Sequence, residues 1–90
     1  MINLDKTPGG ISREVANNFV LSRKRMKITI KELADRSGVS YSSIRRFEKQ
    51  GEISFVSLIK IASVLNLEDQ LIKLFSEPVP TTIEEVLATN

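Results

Sequence analysis

Apolar residues recur at three- and four-residue spacings from Ile11 to Phe75, the period of helices that each bury one face, and no stretch alternates in the manner of a strand. The clearest case is Phe55, Leu58, Ile59, Ala62 and Leu65, which share one side of a helix that Ser54 can cap, with Ile61 flanking them and Asn66 able to end the helix in a left-handed conformation. Before it, Ile11, Val15, Phe19 and either Leu21 or Ser22 mark the buried side of a helix predicted from near Ser12 to Met26. After it, Leu67, Leu71, Leu74 and Phe75, with Ile72 beside them, predict a short helix from Leu67 to about Phe75.

Between these lie two shorter segments joined by a tight turn. Thr29 and Glu32 have the spacing of a reciprocal cap at a helix start, and Leu33 and Ala34 supply a small apolar face. Gly38 suits a helix end in the left-handed region, Val39 packs into the turn, and Ser40 caps the next helix. On that helix Ile44 and Phe47 lie on one side, and Tyr41, Ser42, Arg45, Arg46 and Lys49 on the other. The expected fold class is therefore all-α, a compact bundle of five short helices.

The two ends carry a weaker pattern. Residues 1–10, closing on Thr7-Pro8-Gly9-Gly10, show no period and read as a flexible arm, with Lys6 within reach of a phosphate. Residues 11–76 form the predicted domain, and residues 77–90 an extension broken by Pro78 and Pro80. Within the extension Thr81 and Glu84 have capping-box spacing ahead of Val86 and Leu87. A helix this short needs a surface to pack on.

Composition narrows the chemistry. The chain has ninety residues, no cysteine and no histidine, which removes disulfides, thiolate and imidazole metal ligands and any Ser-His-Asp triad. We expect neither an enzyme nor a cofactor. With no long apolar run, the expectation is a cytoplasmic protein that does not contact membranes. The net charge of +2 conceals a division: eleven Lys and Arg stand against four Asp and Glu from Lys6 to Lys49, and two against six from Gln50 to Asn90. Such segregation suggests that the first half faces a polyanion. Arg23, Lys24, Arg25 and Lys27 crowd the end of the first helix, more cations than a helix dipole calls for. A helix anchored by two apolar residues and presenting hydroxyls and cations outward suits a DNA groove.

The run T-x-x-E-L-A-x-x-S-G-V-S-x-x-x-I-x-R-x-E from Thr29 to Glu48, followed by S-x-x-x-L-x-x-I-A-x-x-L from Ser54 to Leu65, resembles the Xre family of lambda-repressor-type helix-turn-helix regulators. The resemblance implies a recognition helix over residues 40–50 in the major groove, a two-fold homodimer and a palindromic operator in double-stranded DNA. It places Tyr41, Ser42 and Arg46 at base-reading positions, with Arg45 beside them. Arg46 is the first choice for a bidentate bond to guanine. Arg23, Lys24, Lys27, Thr29, Lys31, Lys49 and Gln50 are candidates for phosphate contact and positioning, and Arg23 and Glu48 match a pair that bridges the first and third helices. The chain departs from the family at Ile30, where a phosphate-contacting glutamine is usual, and at Glu48-Lys49-Gln50-Gly51, where the glycine comes one residue late.

The acidic, proline-jointed tail resembles that of antitoxin repressors that accompany kinase-like toxins, which makes such a toxin a candidate partner. Val56, Leu71, Leu74, Phe75, Val86 and Leu87 are the expected residues of a dimer or partner seam. The rival reading is a protein-interaction module that keeps this fold without reading DNA.

Overall fold

A computed structural model describes residues 6–79. Five helices follow one another: α1 (Pro8–Arg25), α2 (Ile30–Ser37), α3 (Tyr41–Gln50), α4 (Phe55–Val64) and α5 (Glu68–Ile72), with no strand among the described residues. The expected short helix around Thr81, Glu84, Val86 and Leu87 lies outside the described residues.

Local chemistry sets most of the boundaries. Thr7, Thr29, Ser40 and Ser54 each accept a bond from a backbone N–H one turn into α1, α2, α3 and α4. At α2 the cap is reciprocal, with Glu32 accepting from the backbone N–H of Thr29. Helix α1 begins at Pro8, inside the stretch expected to be an arm, because Thr7 caps it and Pro8 occupies a first-turn position whose N–H would have no partner within the helix. Helix α1 ends with Lys27 in the left-handed region, where Ile28 N–H reaches back to the Arg23 carbonyl and Lys27 N–H to that of Lys24. Asn66 closes α4 in the same way.

The core gathers Ala16 and Phe19 from α1, Ile28 before α2, Leu33, Val39 in the turn, Ile44 and Phe47 from α3, and Ile61 and Leu65 from the fourth helix and its cap. Phe19 and Phe47 meet edge to face at 5.5 Å between ring centroids. Helix α1 packs on α3, and α2 packs on both α3 and α4.

Two apolar stripes differ from expectation. On α1 the inward side runs through Ser12, Ala16, Phe19 and Arg23, while Ile11 and Val15 are about half exposed. The close approach of α1 to the end of α3 explains the choice of small residues: a Cβ on Gly51 would lie 2.8 Å from the Ser12 backbone. On α4 the fully buried residue is Ile61, and Phe55 and Ile59 sit at the exposed flank. Helix α5 stops at Ile72, and Phe75, with positive φ, is 93% exposed.

Candidate nucleic-acid interface

Helices α2 and α3 form a hairpin through the three-residue turn Gly38-Val39-Ser40. The Gly38 N–H closes α2 on the Ala34 carbonyl at φ +78°. Val39 is buried, and its N–H donates to Ser37 Oγ at 3.1 Å. Ser40 accepts from Ser43 N–H at 3.1 Å and donates to Ser43 Oγ at 2.8 Å, which starts α3. With Ile44 and Phe47 buried beneath it, α3 has one rotational setting. Ser42, Arg45, Arg46 and Lys49 then point away from the core, and all are exposed. Tyr41 lies at the side of this face, half exposed. The Ser42 hydroxyl sits 3.3 Å from that of Ser40, so it is partly engaged at the cap.

The basic residues that precede the hairpin separate into two groups. Lys24, Arg25, Lys27 and Lys31 are exposed. Arg23 is turned inward, its side chain 11% exposed. Its Nε donates to Glu48 Oε2 at 2.7 Å and its Nη2 to Glu48 Oε1 at 2.9 Å, while Nη1 donates to the Ile28 carbonyl at 3.0 Å. This fork-on-fork arrangement ties the end of α1, the entry to α2 and the last turn of α3 together. With its guanidinium engaged on three sides within the protein, Arg23 reaches a phosphate less readily than the exposed cations do.

Thr29, also expected at phosphate, uses its hydroxyl internally: it accepts from Glu32 N–H and donates to Glu32 Oε1 at 3.1 Å. These Thr29 bonds, backbone first and side chain second, hold the Glu32 carboxyl below its ordinary range, with Arg36 adding to the effect. Ile30 is half buried against the core, so the position of the usual glutamine is given to packing. Lys49 and Gln50 are exposed in the last turn of α3, which Gly51 closes at φ +75°.

Glu52 follows the glycine that ends α3 and belongs to none of the motifs of the chain. The structure sets it against Arg46, with Arg46 Nε donating to Glu52 Oε1 at 3.1 Å. The available signal was an acidic residue just past a helix-ending glycine, six positions beyond an outward arginine.

Of the expected seam residues, Leu71 and Leu74 line an apolar groove with Val15 of α1 and Leu58 of α4. The groove continues past Val15 and Leu58 to Ile11 and Phe55. Val56 is exposed on the side of α4 opposite the core stripe and does not line the groove. Phe75 projects into solvent, and Val86 and Leu87 lie outside the described residues. No helix among the described residues is long and apolar enough to cross a membrane.

A family model described as helix-turn-helix matches residues 22–72, more than half of the chain, from the last turn of α1 to the end of α5. Comparison with curated proteins and with solved structures gave no match.

Proposed function

The chain belongs to the helix-turn-helix family of Xre, lambda-repressor-like DNA-binding regulators, and on that premise we propose that it is a homodimeric repressor that lays α3 in the major groove of a palindromic operator. The observation that carries this reading is the division of α3. Ile44 and Phe47 are shut into the core, while Ser42, Arg45, Arg46 and Lys49 stand exposed on one outward face. Arg46 is the specific reader, by paired bonds to guanine O6 and N7, and Arg45 and Ser42 contact neighbouring base edges or phosphates. Lys24, Lys27, Lys31 and Lys49 supply the sequence-independent grip on the backbone. The exposed apolar groove supports the dimer half of the proposal, since it is contiguous apolar surface that stays open among the described residues and suits an interaction site. The tail's acidity and prolines extend the proposal to a kinase-like toxin as a second partner.

Salt titration of binding to a selected duplex tests the reading. A dimer neutralising about 6–10 phosphates loses affinity by roughly 10³–10⁵-fold between about 50 and 200 mM salt. The selected sites should carry half-sites about 10 base pairs apart, centre to centre. Absent or salt-insensitive DNA binding would leave the interaction module, which the exposed groove alone would then explain.

A further inference from the structure

The Arg46 guanidinium is not left loose on the outward face of α3. Its Nε donates to Glu52 Oε1 at 3.1 Å, and its Nη2 lies 2.9 Å from the same oxygen. Glu52 reaches back along the helix because Gly51, in the left-handed conformation, reverses the chain as α3 ends. Both side chains are mostly exposed, so fold stability does not account for the contact. A carboxylate beside a helix that approaches phosphates also weakens attraction to DNA.

We propose that Glu52 is a positioning residue for base reading, which occupies one edge of the Arg46 guanidinium and thereby presents the other edge to guanine. The inference rests on the operator-reading function proposed above. An arginine has a planar fork with one hydrogen on Nε and two each on Nη1 and Nη2. Glu52 takes the edge formed by Nε and Nη2. The end of the fork, formed by Nη1 and the second Nη2 hydrogen, remains open. Its two parallel N–H groups match the spacing of guanine O6 and N7. The carboxylate contributes in a second way. It offsets the guanidinium charge, so the pull of the nearest phosphate falls while the directional bonds to guanine remain. Glu52 thus gives up general affinity for DNA and gains discrimination at one base pair.

The test is selection of bound duplexes from a random DNA library by the full chain, its Arg46→Ala variant, Glu52→Gln and Glu52→Ala. Affinities for the selected duplex and for versions with each guanine exchanged are then measured at one fixed salt concentration. Arg46→Ala identifies the base pair concerned by losing its preference there, roughly 5- to 150-fold. Glu52→Ala is expected to reduce the preference at that same base pair by about three- to fivefold, the scale of an exposed ion pair, while tightening binding to scrambled duplex. Glu52→Gln, which keeps an oxygen facing the fork, retains part of the preference. In the Arg46→Ala background, removal of Glu52 changes no base preference. Three outcomes would overturn the inference: a uniform rise in affinity with unchanged preferences, which makes Glu52 a plain repulsive charge; a lowered melting temperature with unchanged preferences, which makes the pair structural; or no preference lost in Arg46→Ala. If the unaltered chain enriches no sequence at all, the operator-reading function itself falls, and Glu52 with it.

Discussion

Among the described residues three ion pairs form, and their surroundings give them different work. Arg36 with Glu32 and Arg46 with Glu52 are open to water, where such pairs contribute little to folding. Arg23 with Glu48 is enclosed, with the two side chains 11% and 9% exposed, and through the added bond to the Ile28 carbonyl it joins α1, α3 and the link that leads into α2. Removing one partner of such a pair strands the other charge without water. Glu48→Gln is therefore expected to destabilise the fold by about 3 kcal/mol, the lower end of the range for broken buried pairs because the glutamine oxygen still accepts. Urea unfolding at neutral pH measures it; an unchanged midpoint would mean that the helix ends are held by packing alone. Legibility differed between the Arg23–Glu48 and Arg46–Glu52 pairs. A family pattern pointed to Arg23 and Glu48, because their separation in the chain forms part of a motif. Glu52 belonged to no motif, and its contact depends on how a glycine bends the chain, which residue spacing does not encode.

Helix starts were legible because a capping hydroxyl is a local signal, and Thr29, Ser40 and Ser54 each cap the helix they were expected to cap. The rotational setting of α1 was not. Periodicity counts hydrophobicity, and Ile11 and Val15 outweigh Ser12 and Ala16 on any such count. The face that turns inward is instead chosen by how near two backbones must come. Gly51 is where that distance is set, and it yields a prediction by contrast with Gly38. Both have positive φ, so alanine strains both, by about 1 kcal/mol. At Gly38 the new Cβ meets nothing within 4 Å. At Gly51 it would lie 2.8 Å from the carbonyl carbon and Cβ of Ser12, so α1 has to move away from α3. Gly51→Ala is thus expected to lower the thermal midpoint well beyond Gly38→Ala, with the excess of about 1–3 kcal/mol typical of overpacking. Equal losses in the two variants would show that α1 yields without resistance.

For the whole molecule, charge and apolar surface are distributed separately. Exposed cations stand on α3 and around the end of α1, whereas the groove lined by Val15, Leu58, Leu71 and Leu74 runs where α1, α4 and α5 meet. Neither Ser42, Arg45, Arg46 nor Lys49 lines the groove, so a dimer joined there would not need to cover the outward face of α3. Leu74 is the residue to alter, because it is 47% exposed and its loss leaves the core of the single chain intact. In a free chain Leu74→Asp should cost about 1 kcal/mol, since about half of the side chain packs in the groove. In a closed apolar seam the same carboxylates would be desolvated without partners, which opposes association strongly. Sedimentation at micromolar concentration should accordingly find dimers for the unaltered chain and monomers of unchanged helicity for Leu74→Asp. Affinity for a duplex with two half-sites should fall steeply, since linked binding of the second half-site is lost. Affinity for a single half-site should hold, because α3 and its cations are untouched. A Leu74→Asp protein that remains dimeric places the seam elsewhere, and Val56, exposed on the far side of α4, is then the position to alter next.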